Sequence, residues 1–439
     1  MLIEFKFGNY RSFKDEATFS LVASSLKDKK VDNLAVMYSP IKNNKLRLLK
    51  SAAIFGANAS GKSNFVEAIR FFRQFIVNSS RGTQVDENVD VDNFKLSTET
   101  ENEPSIFEVV FLWKENYYRY GFAVSPKKVE GEWLYIKDIK PKAKEIELFF
   151  RDIDSFPVVH EKFTIGKDVV QKNMVRPNAL LLSVAAQFNE PIANEIFQWL
   201  LSLNVISGLH DERYAGYTIT KLQDPIYKQR IVDFTKYADL GIDDIQVTEG
   251  DLANEQENTS VDSDDIRKPR LAKSINSILS FHKKYDDKFQ VESKPVEFSF
   301  TKSESHGTKK YFSLAGPILD TLDNGKTLVI DELDSKLHPL LTQKLISLFN
   351  STETNPKNAQ LIFTTHDTNL LSALVFRRDQ IWFTEKNRYG ATSMYSLSEY
   401  AVRNDASFEK DYLAGKYGAV PTFKNFKKLF TSNTSTNNG

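Results

Sequence analysis

The N-terminal part of the chain combines two patterns of apolar residues. Leu2–Phe7 alternates and predicts a strand, and Asn9–Phe13 then turns the chain. Ser51–Phe55 is a short apolar run, which predicts a buried strand that ends at a loop with two glycines. After this loop, apolar residues recur at helical spacing from Phe65 onward. The pattern therefore predicts a strand, a tight loop and a helix in direct succession.

The middle of the chain predicts antiparallel strands followed by helices. Alternating apolar residues predict strands at 105–113, 117–124, 133–136 and 146–150. Helical spacing predicts helices at 194–203 and 226–240, the second of which ends before Gly241. The acidic segment 251–265 has few apolar residues and is expected to be a mobile surface loop. No sustained heptad repeat is present in this part of the sequence, which argues against a long coiled-coil arm.

Further apolar runs precede residues that can carry chemistry. Thr327–Glu332 is a strand pattern that ends in two acids, and Leu361–His366 is a second one that ends in a lone histidine. A third run, Ala179–Ala186, is strand-like and precedes Gln187. The polar tail 431–439 is expected to be disordered.

The amino-acid composition mainly excludes certain kinds of site and certain classes of protein. The 439 residues are 41% hydrophobic, which is enough for one large core or several smaller ones. Lys plus Arg and Asp plus Glu both total 58, so the chain has no net charge that would attract nucleic acid. The short basic cluster Arg267–Arg270 follows an acidic stretch and is interpreted as a solvated loop. The sequence has no cysteine, which excludes disulfides and thiolate metal sites. The charged N-terminus, and the lack of an apolar run of ~20 residues, predict a soluble cytoplasmic protein with no membrane association.

The loop after the first predicted buried strand matches G-x-x-x-x-G-K-[ST]. The loop, here called the P-loop, and the helical residue after it are Gly56, Ala57, Asn58, Ala59, Ser60, Gly61, Lys62, Ser63 and Asn64. Glycines let backbone N–H groups wrap phosphates, and the following helix points its positive end at the anion. Lys62 can reach the β- and γ-phosphates of a nucleotide, and Ser63 can ligate Mg²⁺. The sequence therefore predicts a site for ATP and Mg²⁺.

The acid pair and the histidine fit the same chemistry. A strand end lets the chain turn and present both Asp331 and Glu332. Asp331 is predicted to hold the Mg²⁺ shell and Glu332 to polarise the attacking water. A neutral His366 on a neighbouring parallel strand is predicted to hydrogen-bond the γ-phosphate or the water, with a structural histidine as the alternative. Lys62, Glu332 and His366 are thus the candidate catalytic residues.

A second candidate anion site precedes the acid strand. Ser305 and Gly307 lie where an apolar helix is predicted to begin, and a helix N-terminus attracts anions. One copy of the chain has no obvious use for a second site of this kind, and by itself the pattern is an ordinary helix cap.

The order of these motifs resembles the ABC-type ATPase head, in particular its SMC-like and OLD-like branch. That resemblance implies an α/β fold with a mixed sheet, an antiparallel β subdomain and a helical insert. It also implies a homo-oligomer, at least a dimer, in which Ser305 and Gly307 of one subunit cap the γ-phosphate held by another. His306 and Thr308 depart from the usual residues of this signature motif. Asp334 takes the D-loop position.

The resemblance suggests two further contacts and a division of the chain. Arg11 lies in the turn where related heads touch the nucleotide, and Gln187 is the candidate Q-loop ligand of Mg²⁺; a solvated polar residue and a glutamine on a helix surface are equally good interpretations. The expected units are a first ATPase lobe with the antiparallel subdomain at 1–190, the helical insert at 191–294, a second ATPase lobe at 295–400 and a C-terminal extension at 401–439.

A narrower resemblance rests on three segments. Asp331–Pro339, Thr364–Asp367 and Phe408–Pro421 resemble bacterial RloA-type ATP-binding proteins, which are relatives of the ATPase subunits of antiphage systems such as PARIS. This implies an ATP-hydrolysing conformational switch that works beside a separate effector, often a Toprim-type nuclease. The positions after His366 are too few for a nuclease domain, so the effector is expected to be a partner chain. An SMC-like DNA repair or maintenance ATPase is the alternative, and direct contact with nucleic acid stays open.

Overall fold

The computed structural model describes most of the chain. The described residues are 1–26, 34–37, 46–81, 87–140, 142–152, 155–210, 212–237, 241–247, 278–403 and 406–421. The acidic segment 251–265, the basic cluster Arg267–Arg270 and the tail 431–439 lie outside them. Among the described residues, no helix combines the length and apolar character needed to cross a membrane.

A central sheet organises the molecule. Its strands are β5 (Ser51–Phe55), β11 (Leu203–Ser207), β15 (Thr327–Asp331), β16 (Gln360–Thr364), β17 (Ile381–Lys386) and β18 (Thr392–Ser396). They lie in the order β11-β15-β16-β5-β17-β18, and neighbours run parallel except for β17 and β18, so the sheet is mixed. Because β16 lies between β5 and β15, the carboxyl ends of these three strands meet at one edge.

An antiparallel sheet forms a second layer. Its strands are β1 (Leu2–Gly8), β2 (Ala17–Ser20), β6 (Ser105–Trp113), β7 (Asn116–Val124), β8 (Val129–Asp138), β9 (Ile146–Asp152) and β10 (Ser155–Val159). They are ordered β10-β9-β8-β7-β6-β1-β2, and a separate pair is formed by β3 (Leu34–Met37) and β4 (Leu46–Leu49). The four antiparallel strands predicted from alternation are all present in this layer.

Helix α1 (Lys62–Asn78) joins the two sheets into one core. Its apolar face includes Phe65, Ile69 and Phe72, which are at most 1% exposed. Phe72 stacks on Phe122 of the antiparallel sheet, and the same core cluster contains Ile54 of the central sheet. Each such buried side chain contributes about 2 kcal/mol from apolar burial. The helix that follows the P-loop is therefore held from both sides.

The remaining helices all follow β10 along the chain and include those of the predicted insert. They are α2 (Thr164–Gln171), α3 (Leu181–Gln187), α4 (Pro191–Ser202), α5 (Glu212–Leu222), α6 (Pro225–Tyr237), α7 (Phe300–Ser303), α8 (His306–Asn324), α9 (Pro339–Asn350) and α10 (Phe408–Leu413). A small sheet of β12 (Ile242–Val247), β13 (Ile278–His282) and β14 (Val296–Ser299) packs with α5 and α6 on α8. The segment predicted as a helical insert thus also contains strands, and its β11 belongs to the central sheet.

The strand predicted at Ala179–Ala186 is wrong, because this segment forms α3. Residues 181–185 are buried all round, and an apolar run of this length does not distinguish a buried helix from a buried strand. The helix begins on Glu132 of β8, whose carboxylate accepts hydrogen bonds from the N–H groups of Leu181 (2.6 Å) and Leu182 (3.0 Å). The predicted fold class is confirmed: the chain is α/β, with a mixed sheet and an antiparallel β subdomain.

Candidate functional site

One cavity lies at the edge where β5, β15 and β16 end. It has a volume of about 650 Å³ and is lined by Asn58, Ala59, Ser60, Gly61, Lys62, Ser63, Asn64, Glu332, His366 and Lys386. The P-loop follows β5, Glu332 follows β15 and His366 follows β16. Three segments that are far apart in sequence therefore meet because their strands are neighbours in the sheet.

The P-loop is shaped by left-handed backbone and by close contact with β17 and β18. Gly61 has φ 114°, and Ala59 has φ 60°. A Cβ on Gly61 would lie 2.6 Å from the side chain of Thr392, so no other residue fits there without displacing β18. Thr392 also donates a hydrogen bond from Oγ1 to the carbonyl of Ser60 (2.9 Å). The loop is thus held from behind before any ligand binds.

Lys62 holds a buried ammonium group inside the P-loop. Its Nζ donates hydrogen bonds to the carbonyl oxygens of Gly56 (2.8 Å) and Ala57 (3.1 Å). Burial lowers the pKa of Lys62 to about 8, and the nearby carboxylates of Glu332, Asp331 and Asp334 oppose that shift. The lysine and the acid pair therefore belong to the same electrostatic environment.

The acid pair is fixed by the neighbouring strand. Thr364 Oγ1 donates a hydrogen bond to Asp331 Oδ1 (2.6 Å) and accepts one from the N–H of Glu332 (2.7 Å). Glu332 has φ 55°, a left-handed conformation that a residue with a long side chain rarely adopts. This reversal at the strand end lets Glu332 reach the cavity while Asp331 stays buried on the strand. Strained backbone of this kind concentrates at functional sites.

His366 completes the edge opposite the P-loop. Its Nε2 lies 4.0 Å from Glu332 Oε1, and its backbone N–H donates a hydrogen bond to Asp334 Oδ2 (3.2 Å). Partial burial and the positive charge of Lys62 lower the pKa of His366 below its usual value. The imidazole is therefore neutral at pH 7 and has one nitrogen that donates and one that accepts.

Comparison with known proteins assigns the family. The family described as "AAA domain, putative AbiEii toxin, Type IV TA system" matches residues 51–372, which is well over half of the chain. The chain belongs to this family. It is accordingly a P-loop ATPase with an AAA domain, and the match begins at β5 and ends just beyond His366.

Similarity to solved structures was also found. The SMC head domain from Thermotoga maritima has a TM-score of 0.36 and 13% identity, covering 90% of this chain and 98% of that chain. An SMC head bound to the C-winged helix domain of ScpA has a TM-score of 0.35 and 12% identity, covering 94% and 99%. The recombination mediator RecF with ATP has a TM-score of 0.28 and 14% identity, covering 90% and 97%. Among curated proteins, none matches the chain in sequence.

In this AAA-domain protein the predicted second anion site lies apart from the cavity. Ser305 caps α8, because its Oγ accepts a hydrogen bond from the N–H of Thr308 (3.1 Å). Ser305 and His306 are exposed, and neither they nor Gly307 are among the described residues that line the cavity. Within one copy of the chain, the structure does not bring this helix terminus to the P-loop.

The N-terminal turn meets the P-loop through a residue that the sequence did not single out. Ser12 Oγ accepts a hydrogen bond from Asn64 Nδ2 (2.7 Å) and lies 2.8 Å from Thr392 Oγ1, whose single proton is donated to the carbonyl of Ser60. The preceding Arg11 has φ 49°, and its Nε lies 3.7 Å from an Asp92 carboxylate oxygen. Arg11 is not among the described residues that line the cavity. The turn is therefore next to the site, with Ser12 rather than Arg11 in contact.

Gln187 is not brought to the site. It lies at the C-terminal end of α3, and its Nε2 donates a hydrogen bond to the carbonyl of Ser80 (3.4 Å). Ser80 follows the C-terminal end of α1, whereas the P-loop lies at the other end of that 17-residue helix. At 1.5 Å per residue the two ends are about 25 Å apart, too far for a shared metal ion. The Q-loop assignment of Gln187 is therefore incorrect.

A C-terminal segment also supports the P-loop, and sequence reasoning gave it no role. The N–H of Ala57 donates a hydrogen bond to the carbonyl of Ala419 (2.9 Å). Tyr412 of α10 donates its hydroxyl to the same carbonyl (3.0 Å), and Tyr395 of β18 donates to the carbonyl of Tyr417 (2.7 Å). The available signal was the pair Gly415 and Gly418, which adopt positive φ in this segment.

Proposed function

We propose that this protein binds ATP with Mg²⁺ in the cavity and hydrolyses it, as a dimer whose second copy completes each site. The observation that carries the proposal is the convergence of the P-loop, Glu332 and His366 on one cavity, with Asp331 close enough to influence the pKa of Lys62. This set combines phosphate-binding amides, a cation, two carboxylates and a neutral imidazole. A triphosphate is the ligand that uses all of them.

The residues present fit Mg²⁺ as well as a nucleotide. Mg²⁺ prefers hard oxygen ligands, and Ser63 lines the cavity while Asp331 offers a carboxylate that influences Lys62. Asp334 Oδ1 is buried and has no hydrogen-bond partner among the described residues. A polar group bound nearby could serve as its partner. Bound Mg²⁺ would neutralise charge on the phosphates, with Ser63 and Asp331 as its protein ligands.

The remaining groups have distinct roles in hydrolysis. The P-loop amides and the N-terminus of α1 hold the phosphates, and Lys62 adds positive charge at the β- and γ-phosphates. Glu332 accepts a proton from the attacking water, and its strained conformation directs the carboxylate into the cavity. Neutral His366 orients the water or a γ-phosphate oxygen, since it retains a donor and an acceptor.

The exposed start of α8 supports a dimer. A helix N-terminus with a small residue at the cap attracts phosphate, yet Ser305 and Gly307 do not line the cavity of their own chain. In a symmetric pair, each α8 terminus can face the γ-phosphate held by the other copy. ATP binding then closes the dimer, and hydrolysis reopens it, so the reaction serves as a timed conformational switch.

The switch is assigned to antiphage defence with a separate effector, a nuclease of the Toprim type. Two features support this: the likeness of Phe408–Pro421 to RloA-type proteins, and the family description, which names a toxin–antitoxin system. Affinity capture of the full chain from its native cells, with and without ATP, tests it. Recovery of a nuclease chain supports the assignment, whereas recovery of DNA alone favours a DNA-maintenance ATPase.

The central test of hydrolysis is Glu332→Gln. Removing the proton acceptor should lower the turnover number by about a hundred-fold or more, while ATP affinity is kept and a dimer accumulates. Phosphate release, a fluorescent nucleotide and light scattering measure the three quantities. Glu353→Gln, at an exposed glutamate outside the cavity, is the matched control and should behave like the wild type. Wild-type turnover by Glu332→Gln would remove Glu332 as the base.

A further inference from the structure

Lys310 is a buried lysine that sequence reasoning did not consider. It lies on α8, five positions after the cap residue Ser305, and its side chain is fully buried. Its Nζ donates hydrogen bonds to the carbonyl oxygens of Glu332 (3.1 Å), Leu333 (2.8 Å) and Ser335 (2.5 Å). The three acceptors all belong to the segment that follows β15, and an ammonium group has enough N–H donors for them.

That segment has an unusual backbone that needs such support. Glu332 and Lys336 both have positive φ, at 55° and 61°. The backbone between them is tightly turned, since Ser335 donates its N–H to the carbonyl of Glu332 (3.3 Å) and Leu337 to that of Asp334 (3.0 Å). A buried carbonyl oxygen needs an internal hydrogen-bond donor. The amino group of Lys310 supplies one to the buried carbonyl of Leu333 and also donates to those of Glu332 and Ser335.

We infer that Lys310 is a positioning residue that holds Glu332 in its cavity-facing conformation and links it to the N-terminus of α8. This inference rests on the proposed function, because it assigns to Lys310 the placement of the proton acceptor. Lys310 lies five positions after Ser305, a distance of about 7.5 Å along a rigid axis. Contact between the α8 terminus and a phosphate held by the other copy is therefore linked to Glu332 through about one and a half helix turns and one side chain.

A first experiment needs no enzyme activity. In Lys310→Met the apolar stem is kept and the three donors are lost, so backbone amides of residues 331–337 should exchange with deuterium about ten-fold faster or more. Exchange in β16 and in the body of α8 should stay as in the wild type. Lys344→Met, at an exposed lysine on α9, is the control and should leave residues 331–337 unchanged. Equal exchange of this segment in Lys310→Met and wild type would overturn the inference.

A second experiment separates positioning from general folding. Lys310→Met should lower kcat by about ten-fold or more while KM for ATP changes less than about two-fold, because the P-loop is untouched. Lys310→Arg, which keeps the charge and several donors, should recover part of the loss in kcat. Equal losses in kcat and in ATP affinity, or no loss in kcat, would contradict a positioning role. If Lys310→Met fails to fold, Lys310→Gln takes its place in both experiments.

The two experiments also distinguish the inference from the function on which it rests. If the wild type shows no turnover, the proposed hydrolysis fails, while the exchange rates of residues 331–337 still decide whether Lys310 holds this segment. If turnover is present and exchange is unaffected by Lys310→Met, the inference fails and the proposed function stands.

Discussion

The chemistry of single residues in the cavity depends on one buried cation. Lys62 is 4% exposed, and its ammonium donates hydrogen bonds to two carbonyl oxygens of its own loop. Burial penalises the charge, whereas three nearby carboxylates favour it, and the outcome is a pKa of about 8. A triphosphate adds several negative charges beside this group and must raise its pKa again. Ligand binding and protonation of Lys62 are therefore coupled.

This coupling predicts proton uptake on ATP binding at about pH 8.5. In the free protein Lys62 is largely neutral above pH 8, and in the complex it is protonated, so affinity is highest below pH 8 and falls as pH rises above it. Titration calorimetry with Glu332→Gln, in two buffers of different ionisation enthalpy, measures the uptake without turnover. Adding Lys62→Arg to that background should abolish uptake, because arginine stays charged. If Glu332→Gln alone gives identical heats of ATP binding in both buffers, the coupling between binding and protonation of Lys62 is contradicted.

At the scale of elements, the end of β15 is shaped by the loop after β11. The N–H of Gly208 donates a hydrogen bond to the carbonyl of Asp331 (2.6 Å). A Cβ on Gly208 would lie only 2.1 Å from the carbonyl oxygen of Glu332, so the two backbones touch directly. Besides Lys310, the left-handed turn at Glu332 thus has two further supports, β16 through Thr364 and the β11 loop through Gly208.

Gly208→Ala is therefore expected to displace the acid pair. Overlap with a backbone carbonyl cannot be relieved by a rotamer change, and we expect a loss of about 1–3 kcal/mol in unfolding free energy together with reduced turnover. Denaturant unfolding and phosphate release measure the two effects. Gly131→Ala on β8 is the matched control, because the nearest atom to its new Cβ is 3.6 Å away. If both variants behave alike, the contact between the β11 loop and Glu332 has no energetic importance.

The same elements show which parts of the fold the sequence could predict. β5, α1, β15 and β16 have local signals, since buried strands and the P-loop are contiguous in sequence. The contact of Ser12 with Thr392 joins residues that are 380 positions apart in the sequence, so no local sequence pattern predicts it. Gln187 was misassigned because α3 is buried on all sides and lacks the polar face that marks a helix. Lys310 was missed for a similar reason, as nothing in the sequence distinguishes it from a solvated lysine.

At the scale of the whole molecule, the two candidate anion sites are separate from each other. The P-loop opens into the cavity, while the start of α8 is exposed outside it. Lys310 connects the α8 terminus to Glu332 within the same chain. A dimer with shared sites would thus link each phosphate contact to the proton acceptor of the opposite site, which one chain alone could not do.

Mixing two inactive variants tests this arrangement directly. Lys62→Ala removes the P-loop cation but keeps the α8 terminus. Ser305→Asp keeps the P-loop, and it keeps the helix because aspartate is also a good N-cap. Its carboxylate, however, repels phosphate at the α8 terminus. Each variant alone should lose turnover. After free exchange of subunits, half of the dimers are mixed and each of these has one intact site, so phosphate release should return to about a quarter of the wild-type rate. Ser305→Thr, which keeps a hydroxyl at the cap, is the control and should hydrolyse ATP without being mixed with a second variant. If Ser305→Asp alone hydrolyses ATP at the wild-type rate, or if mixing restores nothing, the sites are not shared between copies.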